Sequence, residues 1–439
     1  MTPARYFAAD TPACALTHPQ ASAQPTDLAT RLLQLRAVTE ALAAPLSAED
    51  CQAQSMPDCS PVKWHLAHTT WFFETFVLGR HDPGYRPRHP EYRVLFNSYY
   101  QAVGERHPRP QRGLLTRPGL KEVMDYRHEI EQTVAALLAR RGDDNALREI
   151  VELGMNHEEQ HQELILTDLK HLLSCNPTLP AYQPAAPVAL PPGTPAGWTH
   201  YAAGQTRIGH SGPGFAFDNE APAHDVLLPP FHLAKRLVTQ HEYLEFIQDG
   251  GYRRPELWLS QGWDMVCAQG WRAPLYWQGQ KDDWQVFTLA GLQPLDLQAP
   301  VCHVSYFEAD AYARWSRVRL PREAEWELAA RRHAGARANL LESGRLAPCP
   351  APRPGVAGGP VQFIGDTWEW TASAYDAYPG FKPAAGAIGE YNGKFMCNQY
   401  VLRGGSCVTP QRHIRPSYRN FFPPEARWQF SGIRLARDS

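Results

Sequence analysis

The sequence predicts an α+β protein of several domains, in which a four-helix bundle precedes a region of short strands and loops. Its 439 residues exceed what one hydrophobic core usually serves. Four segments near the N-terminus have helical apolar periodicity, whereas short apolar runs, tryptophans and Gly-rich turns alternate after a proline-rich stretch. We therefore expect a disordered tail (1–24), a helical bundle (25–175), a Pro-rich linker (176–196) and a second domain (197–439).

The composition is ordinary for a soluble enzyme. The chain is 43% hydrophobic and 20% charged with a net charge of −2, which gives no reason to expect nucleic acid or an anionic membrane as a partner. Its nine cysteines form no C-x-x-C pair, which favours reduced thiols. Neither a signal peptide nor a window near the ~20 apolar residues of a membrane span is evident. We expect a cytoplasmic protein with small-molecule partners, and its oligomeric state stays open.

Separate sequence signals indicate the limits of each helix in the bundle. The first helix begins near Thr26, because the leucines that follow form one apolar stripe. Ser60-Pro61 is a good start for the second. The predicted spans of the other three are 60–78, 120–140 and 145–173. The long segment between the second and third helices, 81–118, is non-periodic, and such loops are often functional.

Histidines on two of these helices suggest a metal site. His157 and His161 stand four residues apart, so both imidazoles can face one ion. The aromatic-rich second helix adds His65 and His68. Three neutral imidazoles leave coordination positions open, which suits Fe(II) better than a closed structural zinc site. An isolated pair could equally be surface residues, but the second motif favours a metal enzyme.

The second region contains three predicted helices. Their spans are Thr239–Asp249, Ser305–Arg317 and a proline-initiated helix within Arg319–Glu327. Trp368 and Trp370 are expected in the core.

Five ordered motifs in this region carry a resemblance. They are 301–306 (VCHVSY), 319–327 (RLPREAEWE), 365–371 (GDTWEWT), 402–406 (LRGGS) and 432–435 (GIRL). The region resembles the formylglycine-generating-enzyme/sulfatase-modifying-factor domain, whose fold is related to C-type lectins. The first half resembles DinB-like metal-binding bundles. The domain order and the pattern His-x-x-Gln-His-x-Glu resemble the EgtB family, the non-haem iron sulfoxide synthases of ergothioneine biosynthesis, over nearly the whole chain after residue 25.

The resemblance implies an O2-dependent reaction that joins a cysteine-type thiol to C2 of the hercynine imidazole and oxygenates the sulfur. It implies Fe(II) as the cofactor, held by His68, His157 and His161, because the family ligand follows a Leu-Ala pair. His65 is then a packed or hydrogen-bonded neighbour. Glu163 is interpreted as a residue that orients an imidazole through its N–H.

The proton donor of this reaction is expected in the long loop. Tyr99 and Tyr100 match the tandem tyrosine of family members that use free cysteine, whereas relatives that use γ-glutamylcysteine place the tyrosine on the second domain. Packing of adjacent tyrosines is the alternative interpretation. If both prove structural, Tyr375 and Tyr378 are the next candidates.

Substrate contacts follow from the same resemblance. Gln160 matches a family contact, and Asn420, Phe421 and Phe422 match a closing loop. Relatives that use γ-glutamylcysteine carry an acidic residue at the position of Phe422, so phenylalanine again favours free cysteine. Arg106 and Arg109 are placed to bind a donor carboxylate, and a solvated basic loop is an equal alternative.

Other functions stay open. γ-Glutamylcysteine as donor, an ovothiol-type synthase acting on histidine, a selenoneine-type synthase and a metal-free binding module are alternatives. Formylglycine generation needs a reactive cysteine pair near the end of the domain, and no cysteine follows Cys407. The second domain is therefore expected to serve as a wall of the active site.

Overall fold

The computed structural model describes residues 27–184, 194–280, 283–333, 338–353 and 359–439. The predicted tail and part of the predicted linker lie outside these ranges. None of the helices within them is long and apolar enough to cross a membrane. The predicted fold class is confirmed, because a helical region precedes a sheet-rich one.

The N-terminal region is built on four long helices joined by short ones. In chain order its helices are α1 (Leu28–Ala43), α2 (Ala48–Gln52), α3 (Val62–Phe72), α4 (Gly79–His81), α5 (Tyr92–Leu95), α6 (Leu120–Arg141) and α7 (Asn145–Ser174). A π-helical segment, Phe73–Leu78, joins α3 to α4. The long helices α1, α3, α6 and α7 correspond to the four predicted spans. Pro61 precedes α3 as its cap and is not its first residue.

The bundle core combines apolar side chains with buried polar groups, among them an ionic cluster. The rings of Trp71 and Phe76 are fully buried between the helices. Arg36 of α1 and Arg127 of α6 both bind the carboxylate of Glu158 on α7. The Arg36 Nη1 to Glu158 Oε2 distance is 3.1 Å. A buried carboxylate with two cations ties three helices together, because removal of one partner would leave an uncompensated charge.

The Asn97 side chain helps to order the long loop after α4. The Asn97 side chain donates to the Tyr100 carbonyl at 3.1 Å and to the Gly104 carbonyl at 3.2 Å. Its Oδ1 accepts the Tyr100 N–H at 3.0 Å. These bonds set the backbone of the tandem tyrosines. The loop also contains α5 and a 3₁₀ segment, Arg109–Leu114, where we expected no regular structure.

The second region combines small sheets with four helices. Its strands are β1 (Trp198–Tyr201), β2 (Gly204–Ile208), β3 (His224–Leu228), β4 (Phe231–Ala234), β5 (Trp277–Gln280), β6 (Asp283–Thr288), β7 (Gly291–Pro294), β8 (Trp368–Ala374), β9 (Tyr400–Arg403), β10 (Asn420–Phe422), β11 (Ser431–Gly432) and β12 (Ala436–Asp438). The helices are α8 (Gln240–Gln248), α9 (Ser260–Gln269), α10 (Tyr306–Trp315) and α11 (Glu323–His333). The sheet orders are β1-β4-β12, β10-β9-β8-β11, β2-β3 and β5-β6-β7.

Capping boxes explain where two of these helices begin. Thr239 and Ser305 close capping boxes at the starts of α8 and α10, near the predicted positions. The helix predicted within Arg319–Glu327 begins only at Glu323, because Arg319 pairs with Ala436 in an isolated bridge. We did not predict α9.

Candidate metal centre and substrate cavity

Three histidines meet where α3 faces α7. His68 comes from α3, and His157 and His161 come from successive turns of α7. The Nε2 atom of His157 lies 3.2 Å from that of His68 and 3.1 Å from that of His161. One ligand atom from each residue lies within 4.8 Å of the others, and all three side chains are buried. We call this group the histidine trio.

The protonation of the trio suits a metal ion. Burial lowers the pKa of His157 to about 3 and holds the pKa values of His68 and His161 well below the usual value. Neutral imidazole is the form that binds metals. His68 Nδ1 lies 2.5 Å from the Phe96 carbonyl, which can only accept, so the Nε2 lone pair points into the trio. The donor set therefore fits a divalent transition metal.

His65 lies next to the trio and contacts His161. Its Nδ1 lies 2.8 Å from Nδ1 of His161, and its Nε2 lies 3.1 Å from Oδ2 of Asp168. The structure thus brings His68 into the trio and places His65 against the outer side of His161.

Glu163 has a different role from the predicted one. Its carboxylate accepts hydrogen bonds from Trp368 Nε1 at 2.6 Å, Ser406 Oγ at 2.9 Å and Thr409 Oγ1 at 2.7 Å. The prediction that it orients an imidazole is wrong. A residue two positions beyond His161 lies about 200° around the helix, so it faces the second region.

A cavity of about 640 Å³ opens beside the trio. Both regions of the chain supply its walls. Besides the trio, its lining includes Ser60, Trp64, His65, Ser98, Tyr99, Arg106, Arg109, Arg112, Gln160, Leu164, Asp168, Tyr391 and Phe395. A cavity at a domain boundary with several titratable groups is a typical enzyme site.

The tandem tyrosines face different surroundings. Tyr99 lines the cavity, and its ring lies 6.2 Å from that of Tyr391 and 5.3 Å from that of Phe395. Tyr100 is fully buried behind it, with its ring 5.1 Å from that of Phe76. Burial raises the pKa of both phenols, so both stay protonated near neutral pH.

Gln160 joins the two regions at the cavity wall. Its Nε2 donates to the Tyr418 hydroxyl at 2.7 Å, and its Oε1 accepts from the Tyr391 hydroxyl. Tyr391 also approaches the trio, with its ring 5.6 Å from that of His157. The second-domain tyrosine beside the trio is therefore Tyr391.

Tyr375 and Tyr378, the next tyrosines suggested by the sequence, have other partners. The Tyr375 hydroxyl accepts from Asn219, and the Tyr378 hydroxyl donates to Glu323.

The arginines at the cavity differ in burial. Arg106 donates to the Ser98 carbonyl at 3.1 Å and Arg109 donates to the Asp58 carbonyl, both near solvent. Arg112 is only 5% exposed and lies 3.4 Å above the Trp64 ring. It donates to Ser60 Oγ at 2.8 Å, and its Nε has no partner in the described structure. Arg112 is thus the cation best placed to receive an anionic group.

The predicted closing loop lies further away. Asn420, Phe421 and Phe422 form β10 and are absent from the described lining of the cavity. The Phe421 ring stacks on Tyr375 at 4.0 Å and lies 5.9 Å from the ring of Phe395, which does line it. Phe422 contacts Trp428. Direct substrate contact by these three residues stays a prediction.

Sequence reasoning missed Tyr391, Arg112 and Asp168. Arg112 repeats the three-residue spacing of Arg106 and Arg109, which was an available signal. Asp168 lies seven residues after His161 on α7 and so shares its face, which helical periodicity could have shown. Tyr391 lies more than 200 residues from Gln160, and no local pattern links them.

Comparisons with known proteins cover almost the entire chain. The family described as "DinB superfamily" matches residues 31–165. The family described as "Sulfatase-modifying factor enzyme 1-like domain" matches residues 191–439.

Among curated proteins, "Hercynine oxygenase" of Mycolicibacterium thermoresistibile is 33% identical, over 89% of this chain and 90% of that protein. "Hercynine oxygenase" of Mycobacterium tuberculosis is 34% identical, over 94% of this chain and 99% of that protein. "Formylglycine-generating enzyme" of Streptomyces coelicolor is 29% identical, over 58% of this chain and 92% of that protein. With both family domains and full-length similarity of this degree, the chain belongs to the hercynine oxygenase family.

Proposed function

We propose that this protein is an iron- and O2-dependent sulfoxide synthase that forms a C–S bond between hercynine and cysteine. The observation that carries the proposal is that a buried trio of neutral imidazoles lines a cavity shared by both regions. Relatives of the same length that carry the name hercynine oxygenase support the reaction class. Small-molecule substrates fit a cavity of about 640 Å³.

Fe(II) is the metal that the trio suits best for this chemistry. His68, His157 and His161 would hold the ion through Nε2 and leave positions for other ligands. When bound, ferrous iron would supply the one-electron redox chemistry toward O2 that side chains lack. The protein's part is to hold the two organic substrates next to each other, which lowers the entropic cost of the reaction.

Hercynine would bind beside Gln160. Its trimethylammonium group cannot donate a hydrogen bond and is recognised by aromatic faces. Tyr99, Tyr391 and Phe395 present such faces along the cavity. The Gln160 amide, held between Tyr391 and Tyr418, adds polar atoms with a fixed orientation.

The amino acid donor would bind on the arginine side. Arg112 offers a buried guanidinium with a free Nε, and carboxylates match this fork well. Arg106 and Arg109 lie at the rim and extend the positive charge toward solvent. We propose free cysteine as the donor, because the chain has tandem tyrosines and a phenylalanine at position 422.

Tyr99 would act as the proton donor. It lines the cavity, and its raised pKa keeps the proton on the phenol until the reaction demands it. Loss of that proton to reduced oxygen would direct the outcome toward C–S bond formation and away from simple thiol oxidation.

The direct test is anaerobic reconstitution with Fe(II), followed by O2 with hercynine and each donor. Product masses should show the hercynine–cysteine sulfoxide. His68→Ala, His157→Ala and His161→Ala should each lose most bound iron and all sulfoxide. His171→Ala, a histidine on the same helix whose Nδ1 bonds Ser55 Oγ, is the matched control. An iron-free wild-type protein that binds hercynine would favour a binding module instead.

A further inference from the structure

A row of hydrogen bonds leads from the trio to a buried carboxylate. His161 Nδ1 lies 2.8 Å from His65 Nδ1, and His65 Nε2 lies 3.1 Å from Asp168 Oδ2. The same Oδ2 receives the Ser60 backbone N–H at 2.7 Å. Exposure of the three side chains is 8%, 2% and 4% for His161, His65 and Asp168. All three side chains are thus buried, and all three also line the cavity.

The chemistry of these groups fixes the direction in which the hydrogen bonds of the row are donated. The carboxylate of Asp168 accepts, so His65 donates from Nε2 and keeps a lone pair on Nδ1. That lone pair accepts the N–H from Nδ1 of His161. His161 is then left with its own lone pair on Nε2, which is the atom that faces His157 at 3.1 Å.

The three members of the trio are therefore supported differently. The Phe96 carbonyl orients His68, and the His65–Asp168 pair orients His161. His157 Nδ1 has no hydrogen-bond partner within the described ranges. Histidine ligands of metals usually donate their second N–H to a carboxylate or carbonyl, which sets the tautomer and ring orientation.

We propose that His65 and Asp168 are positioning residues that hold His161 in its metal-binding tautomer. The inference rests on the metal centre of the proposed function and assigns a task to His65, the first histidine of the Trp-His-Leu-Ala-His motif. The opposite direction of donation would put a hydrogen on Nε2 of His161 and block that ligand. His65 thus acts on the metal through His161 without touching it.

Four variants distinguish residues that orient His161 from residues that only fill space. His65→Gln keeps the row, because its amide carbonyl can accept from His161 while its NH2 donates to Asp168. His65→Leu fills similar space and breaks the row. Asp168→Asn keeps the shape and removes the charge. His171→Ala, one turn further along α7, removes an imidazole outside the row.

The first measurement is Fe(II) affinity by anaerobic titration, with thermal unfolding of the metal-free proteins as the fold control. His65→Leu should weaken affinity about 10- to 100-fold and Asp168→Asn about 10-fold, the usual range for such partners. His65→Gln should stay within about threefold of wild type, and His171→Ala should match it. The visible spectrum of the Co(II)-loaded protein should change in His65→Leu and stay close to wild type in His65→Gln.

Equal affinity and equal Co(II) spectra in His65→Leu and wild type would overturn the inference. If His65→Leu does not fold, Asp168→Asn decides, and wild-type affinity there would overturn it. A wild-type protein that binds no Fe(II) would instead count against the proposed function, so the two failures are distinguishable.

Discussion

Residues around the cavity differ in whether their side chains line the cavity or pack in the protein core. Tyr99 lies on the cavity wall, whereas the Tyr100 ring packs among Trp71, Phe72 and Phe76. Both pKa values are raised by burial, so the pKa alone does not distinguish the two tyrosines. Their positions do distinguish the two tyrosines, because a proton donor must lie within reach of the reacting atoms.

Tyr99→Phe removes the cavity-lining hydroxyl and keeps the ring. We expect sulfoxide formation to slow by roughly 10²–10⁴-fold, the usual contribution of a general acid. Oxidation of cysteine to its sulfinic acid should persist or rise, since the metal site is unchanged. Quantifying both products by mass spectrometry checks this. Tyr100→Phe is the matched control and should change the product ratio far less. If both single variants and the double variant keep the wild-type rate and product ratio, the tyrosines have only a structural role.

The proposed choice of free cysteine as the sulfur donor also rests on individual side chains. We expect kcat/KM for cysteine to exceed that for γ-glutamylcysteine at saturating hercynine, because Phe422 cannot bind the amine of the larger donor. Phe422→Asp should raise the relative activity with γ-glutamylcysteine. A clear preference of the wild-type protein for γ-glutamylcysteine would contradict the assignment and leave the reaction class intact.

At the scale of elements, buried ionic clusters tie helices to neighbouring strands. Helix α11 begins at Glu323, whose carboxylate accepts from Arg419 Nε at 2.7 Å and from Arg403 Nη1 at 3.1 Å. Burial acts to raise the pKa of Glu323, but the two arginines outweigh it and the pKa lies below its usual value. The cluster joins α11 to β9 and to the segment before β10.

The Glu323 cluster predicts a pH dependence of stability. A lowered folded-state pKa stabilises the protein above the unfolded value near 4.5, and this contribution is lost as the pH falls through the folded pKa. Glu323→Gln should therefore cost about 3–5 kcal/mol of unfolding free energy at pH 7, since it removes the carboxylate that pairs with buried Arg419. Urea unfolding should show that the difference from wild type shrinks as the pH falls below about 4.5.

The control for this experiment is Glu256→Gln, which alters an exposed carboxylate paired with Arg254. It should change stability little at any pH. An unfolding free energy of Glu323→Gln equal to that of wild type at pH 7 would contradict the prediction.

At the scale of the whole molecule, α7 is the element that both regions share. It carries His157 and His161 on the bundle side and Glu163 and Lys170 on the other. Lys170 Nζ lies 2.6 Å from His303 Nε2, and Glu163 receives three donors from the second region. Helix α7 thus holds two of the three trio histidines together with residues that contact the second region.

Glu163→Gln should loosen this contact. An amide offers one acceptor oxygen and brings an NH2 group against donors, so we expect a loss of about 1–3 kcal/mol in unfolding free energy. Amide hydrogen exchange around Trp368 and Ser406 should quicken. Glu149→Gln, an exposed carboxylate on the same helix, is the control and should behave as wild type. Unchanged stability and exchange in Glu163→Gln would show that other contacts hold the regions together.

Local patterns in the sequence determined a large part of this protein. The spans of the long bundle helices and the pairing of His157 with His161 follow from the 3.6-residue period, which depends only on neighbouring residues. Capping residues located α8 and α10 for the same reason. The family resemblance pointed to a reaction class that the full-length relatives support.

Only the tertiary structure decided which side chains meet across the chain. Two histidines three residues apart both face α7, and packing alone places His68 in the trio and His65 behind His161. Glu163 turns toward donors more than 200 residues away, and Tyr391 reaches Gln160 over a similar separation. Such contacts depend on how helices and loops pack, and no period in the sequence records the direction in which a side chain finds its distant partner.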